Sequence, residues 1–288
     1  METVGVLNAL GNSATHHQEM SLRLRVLAIA IACGLAAGAV DAQDTRQAAR
    51  DLVKKWQEAI VNVRVVVKMR MSMGGREMQS SDDTIEAVGT VIDPGGLTVV
   101  SLGSINPGPM MTKLIAGGGG GGRGVDIASE PTDVKIRLAD GREIPSTIAL
   151  RDEDLNLAFV RPITPPAKPF VAINLADAGQ PALLDQVVVF GRLGRVGGWA
   201  PSAALRDIGG IVSKPRTFFV LAGETAGIGT PAFLPNGKIV GILTVRQVAN
   251  ERPSAFAAMN GSEGLGLLAV ILPADDVLEI AKQATEKK

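Results

Sequence analysis

The 288-residue chain has no tyrosine, and aromatic residues make up only 3% of it. So few rings leave little to build a nucleic-acid surface that works by base stacking. Lys plus Arg equal Asp plus Glu at 29 each, so no cationic surplus is available to follow a phosphate backbone. Cysteine occurs once, as Cys33, and histidine only as His16 and His17. From residue 34 onward the chain has no thiol and no imidazole. Disulfides, thiolate nucleophiles, Cys/His zinc sites and histidine acid–base chemistry are therefore closed to that part of the molecule. The expectation is a protein with no metal and no cofactor. What the chain has in quantity is glycine, at 34 residues, among short Val/Ile-rich runs. That composition suits short strands joined by tight turns.

The N-terminal stretch "SLRLRVLAIAIACGLAAGAVDAQD" has the layout of an export signal. Arg23 and Arg25 precede an uncharged run from Val26 to Val40, and Val40 and Ala42 are the small residues before a cut after Ala42. The apolar run of about 15 residues is short of the roughly 20 that a membrane-spanning helix needs. The expectation is a leader over residues 1–42, with Met20 as an alternative start, and a single domain over 43–288. The domain would be exported to the periplasm or beyond the cell, with no membrane span after cleavage.

Within that domain, Ala49, Leu52, Val53, Trp56 and Ile60 recur at helical spacing. "VNVRVVVKMRMSM" then alternates, with Val61 to Val67 and Met69, Met71 and Met73 on one face. Period two predicts a half-buried strand whose methionine stripe packs into the core. "GGREMQSSDD" reads as a polar hairpin loop, and "TIEAVGTVIDPGGLTVVS" as two strands about a turn at Asp93–Gly96. The run Gly117–Gly122 is expensive to order. With no GK[ST] after it, it reads as a surface insertion over 116–124 rather than a phosphate loop. Further strands follow at "TDVKIRLADGREIPSTIAL", Leu157–Val160, "DQVVVFGRLG", "IGGIVSKP", "RTFFVLAGE" and "KIVGILTV". "PADDVLEIAKQATEKK" has acids in its first turn and lysines in its last, as a helix should. Asp152, Glu153 and Asp154 read as a solvated turn. Many short strands with a helix at each end indicate an all-β antiparallel barrel or sandwich.

Four stretches, in order, resemble the trypsin-like serine peptidases, most closely the bacterial HtrA/Deg type. "GTVIDPGGLTVVS" is similar to G-S-G-V-I-D-x-x-G-L-I-L-T-N. "IRLADGREIPSTIALRDEDLNLAFVRP" is similar to V-x-L-x-D-G-R followed by D-P-x-x-D-L-A-V-L-K. "VVVFGRLG" resembles V-x-x-I-G-N-P-x-G, and "GGIVS" resembles T-S-G-I-V-S. The resemblance runs from about Asp44 to the C-terminus. It implies a trypsin-like double antiparallel β-barrel with the site in the cleft between barrels, and no room here for the peptide-binding module that usually follows in the family.

Position by position, the resemblance puts Gly103 where the family has its histidine and Asn156 where it has the aspartate. Ile228 stands at the nucleophile position, nine residues before Gly237, and Ala226, Gly227 and Ile228 form the oxyanion loop. Glycine accepts no proton, asparagine offsets no cation and isoleucine has no nucleophile, so the usual mechanism has no participant. "GETAG" offers Thr225 as a substitute nucleophile, but only with a three-residue insertion before Gly237. The implied function is a non-catalytic, exported trypsin-fold protein that binds a protein or an extended peptide. The alternatives are an endopeptidase with a non-standard Ser/Thr site, or a structural subunit of an envelope assembly.

Overall fold

The structure is a computed structural model, and it describes residues 43–117, 124–223, 227–247 and 267–286. Contacts divide the chain into two units, Met1–Ala48 and Ala49–Lys288. In the first, residues 43–48 are helical and the leader expected over 1–42 lies outside the described residues. The second unit carries two closed sheets.

Helix α1 covers residues 43–56, and a single 3-10 turn, Gln57–Ala59, leads into the first barrel. Its strands are β1 (Ile60–Met73), β2 (Arg76–Val91), β3 (Thr98–Ser101), β4 (Val125–Arg137), β5 (Glu143–Asp152) and β6 (Leu157–Pro162). They close in the order β1-β2-β3-β6-β5-β4. The second barrel closes as β10-β11-β12-β9-β8-β7. Its strands are β7 (Gln186–Arg192), β8 (Pro201–Val212), β9 (Phe218–Leu221), β10 (Pro231–Phe233), β11 (Ile239–Gln247) and β12 (Leu267–Pro273). Two short helices, α2 (Leu102–Ile105) and α3 (Gly108–Gly117), follow β3, and α4 (Ala274–Glu286) ends the domain. All strand pairings in both barrels are antiparallel. The trypsin-like double barrel with terminal helices is thus the architecture the chain adopts.

Alternation explains how one strand serves two cores. Val61, Val63, Val65 and Val67 of β1 point into the first barrel, while Ile60 on the opposite face joins the layer between barrels. That middle layer includes Leu157 and Phe159 of β6, and Phe190 and Phe233, whose rings stack at 5.4 Å. Val277 and Ile280 of α4 seal it from one end. Burial of such side chains is worth roughly 1.5–3 kcal/mol each, so the middle layer fastens the barrels together. Arg192 adds a polar clasp. Its guanidinium donates to the carbonyls of Ile60 (2.6 Å), Gln57 (2.9 Å) and Trp199 (3.1 Å). Burial holds its pKa below the ordinary arginine value, with Glu58 pulling in the other direction.

Two expectations are corrected. The segment expected to be a polar hairpin loop is strand: only Gly74 and Gly75 turn, both at positive φ, and β2 starts at Arg76. Its polar residues pair across to β1, Lys68 with Asp82 and Arg70 with Ser80, in a part of the hairpin that lies beyond the barrel. No apolar face is needed there, so no alternation marks the strand. For the same reason the methionine stripe leaves the core beyond Met69, which still packs against it. Met69 is half-buried, but Met71 and Met73 are 38% and 50% exposed. The glycine-rich insertion expected over 116–124 falls mostly on residues 118–123, which lie outside the described ones; α3 runs through Gly117 before them and β4 resumes at Val125.

Candidate functional site

β3 ends at Ser101, and α2 begins at once, which places Gly103 in its first turn. The turn before β6 ends at Asn156, whose φ of +55° is the left-handed conformation that asparagine tolerates better than other side-chain-bearing residues. Since Ser101 pairs with Leu157 in the first barrel, the two segments lie side by side.

The Asn156 amide is fully engaged. Its Oδ1 accepts the Gly103 N–H at 2.7 Å. Its Nδ2 donates to Ser101 Oγ at 3.1 Å and, across the cleft, to the Val245 carbonyl at 2.9 Å. The Asn156 carbonyl accepts from Leu102 N at 2.9 Å and from the Thr244 hydroxyl at 3.1 Å. A backbone donor on one side and a backbone acceptor on the other fix which way the amide faces. A carboxylate here would point an oxygen at the Val245 carbonyl oxygen. The surroundings of residue 156 are therefore built for a neutral donor–acceptor group.

A side chain at Gly103 would press on its neighbours. A Cβ built there would lie 3.2 Å from Asn156 Oδ1 and 3.2 Å from Met110 Cε. Met110 of α3 thus covers the place that a longer residue at 103 would use. Nothing in the sequence signals this, because the helix that carries Met110 sits in a stretch whose glycines read as loop.

Ile228 is half-buried in a turn between Gly227 (φ +100°) and Gly229 (φ +88°). The turn is pinned from both barrels. Gly229 N donates to the Leu243 carbonyl at 2.8 Å, and the Gly229 carbonyl accepts from Thr90 Oγ1 at 2.8 Å. Thr230 donates through its hydroxyl and its N–H to the Gly227 carbonyl. A Cβ at Gly229 would run into the Val88 carbonyl oxygen and lie 3.8 Å from Ser101 N. Ser101, 1% exposed, is therefore the common neighbour: it touches Asn156, lies beside the Ile228 turn and precedes Gly103 by two residues. Thr225 and Ala226 lie outside the described residues.

Chemically, this cluster holds hydroxyls, amides and hydrocarbon. Thr230 and Thr244, both fully buried, spend their hydroxyl protons on backbone carbonyls. Asn62, directly opposite Val88 in the β1–β2 register, is 3% exposed, and neither of its amide atoms has a hydrogen-bond partner. Sequence reasoning missed it because a single polar residue on the outer face of a strand looks solvent-facing. The acidic turn is explained locally: Asp152 accepts the Leu155 N–H at 2.8 Å, and Arg246 donates to the Asp154 carbonyl at 3.0 Å. An open cleft of about 500 Å³ lies elsewhere, lined by Asp93, Arg161, Ile163 and Thr285 among others.

No family model matches the chain, and no curated protein matches it. Among solved structures it is similar to the MamO protease domain from Magnetospirillum magneticum in its apo form. That similarity is 15% identity with a TM-score of 0.45, covering 78% of this chain and 96% of that one.

Proposed function

We propose that this is a non-catalytic relative of the trypsin-like serine peptidases, of the bacterial HtrA/Deg type. In this reading it is exported after cleavage behind Ala42 and works by holding a protein segment or an extended peptide. The observation that carries the reading is the Asn156 amide, which spends both its polar atoms bridging Gly103 N–H to the Val245 carbonyl. A residue that serves a proton relay has to keep an acceptor aimed at a base. Here the base position is a glycine under Met110, and the nucleophile position is the hydrocarbon of Ile228.

Binding has a physical basis in the sheet. β11 runs to Gln247, but its pairing with β10 stops at Ile242, while β12 accompanies it to the end. Residues 244–247 therefore have a strand on one side only among the described residues. The Val245 carbonyl is already taken by Asn156 Nδ2, so an extended peptide added there would gain main-chain hydrogen bonds from the remaining edge groups of residues 244–247, with alternate side chains sampling the cleft. Selection of binding peptides from a displayed library, followed by hydrogen exchange, tests the idea. Protection is expected at residues 245–247, together with no labelling by a fluorophosphonate. Specific, heat-sensitive labelling of a hydroxyl would overturn the non-catalytic reading. Bound peptides that leave residues 244–247 unprotected would overturn strand addition.

A further inference from the structure

Beyond the Gly103 turn, the described methionines lie on adjoining elements. Of the chain's nine methionines, Met69, Met71 and Met73 lie on β1, Met78 on β2, and Met110 and Met111 on α3. The β1–β2 hairpin outruns its barrel: β3 pairs with β2 only over Gly89–Val91, whereas β1 and β2 stay paired out to Met73 and Arg76. The far part of the hairpin covers no barrel interior. Met71, Met73 and Met78 are 38%, 50% and 64% exposed there, so packing does not account for them.

Register brings these three together. Met71 and Met73 share a face, separated by roughly 6.8 Å along the strand. A register shift between Met71 and Ser72 inserts an extra residue in β2, so that Met78 and Gln79 together oppose Met71. Directly opposed residues lie about 5 Å apart, and a methionine has three rotatable bonds with which to aim its sulfur. Three thioethers can thus converge on one ion at the tip. Met111, 39% exposed, is on the helix fastened to the edge of β4 through Thr112 Oγ1, which accepts the Ile127 N–H at 2.7 Å; Ile127 is the partner of Met71 in β4.

We propose that Met71, Met73 and Met78 form a binding site for a soft monovalent cation, Cu(I) or its analogue Ag(I), with Met69 and Met111 at its margin. Thioethers are uncharged and polarisable, and they favour such ions over hard divalent ones. From residue 34 onward no thiol or imidazole competes for the ion. Because thioethers do not titrate, binding should not depend on pH where imidazole and thiol sites do.

The test uses the full chain carrying His16→Ala, His17→Ala and Cys33→Ser, which removes the imidazoles and the thiol. Ag(I) is titrated by calorimetry and followed by the methionine ε-methyl signals in carbon-13 NMR. The expected result is saturation near one equivalent, with shifts at Met71, Met73 and Met78. Affinity should be flat between about pH 5 and pH 8. The combined variant Met71→Leu, Met73→Leu, Met78→Leu, checked for unchanged circular dichroism, should bind at least about tenfold more weakly. No saturable uptake would overturn the proposal, as would equal binding by the leucine variant or affinity that collapses on mild acidification. A face used only for apolar docking to another protein would take up no silver, which is the first of those outcomes.

Discussion

Gly103 N–H and Asn156 Oδ1 meet at 2.7 Å, and the same side chain reaches the Val245 carbonyl in the other barrel. One amide therefore joins α2 of the first barrel to β11 of the second. The two ends of this bridge need opposite hydrogen-bonding character, which a carboxamide supplies and a carboxylate does not.

Asn156→Ala should lower stability by about 2–4 kcal/mol, since it strands the Gly103 donor and the Val245 acceptor and leaves alanine at positive φ. Asn156→Asp should also destabilise at neutral pH, because a carboxylate oxygen then faces the Val245 carbonyl oxygen. In that variant the folded state favours the protonated acid, so its folded pKa lies above the unfolded one. Stability is then present at low pH and lost as pH rises through the folded pKa. Urea denaturation at pH 4 and pH 7 measures this. An aspartate variant as stable as the parent at pH 7 would contradict the bridge.

Gly229→Ala should be strongly destabilising, by upwards of about 2 kcal/mol. It combines φ of +88° with a collision against the Val88 carbonyl. A thermal melt of the purified variant checks it. The effect should exceed that of Gly141→Ala, whose φ is also positive (+87°) but whose Cβ would meet nothing within 4 Å.

Reintroducing reactive groups as Gly103→His, Asn156→Asp and Ile228→Ser should produce no fluorophosphonate labelling. A side chain at 103 has Met110 Cε in its way. Adding Met110→Ala opens that space and is expected to give the first detectable labelling. If the triple variant labels equally with Met110 in place, the methionine is no obstacle.

Asn62→Val should raise stability by about 1–2 kcal/mol, as it replaces a buried amide without partners by a β-branched hydrocarbon suited to a strand. Chemical denaturation reads this directly. A loss of stability would mean that Asn62 has a bound water as its partner.

The barrels were legible where alternation or glycine turns marked them. Val61 to Val67 showed period two, and Asp93–Gly96 showed turn chemistry. The outer hairpin was not legible, since residues 76–83 face solvent on both sides and carry no apolar signature. At the site, the family resemblance pointed to Gly103, Asn156 and Ile228, and the structure sets Gly103 on Asn156 and the Ile228 turn beside Ser101. Met110 and Asn62 were invisible for a different reason. Each matters through a neighbour distant in sequence, and no local pattern reports what a chain folds back upon.

The Arg192 clasp bears on how the protein tolerates its medium. The guanidinium rests on three main-chain carbonyls and, among the described residues, on no carboxylate in bonding range. Counter-ions weaken pairs of opposite full charges, but they do little to a half-buried cation seated on peptide dipoles. The registration of the two halves should therefore survive brine as well as dilute buffer.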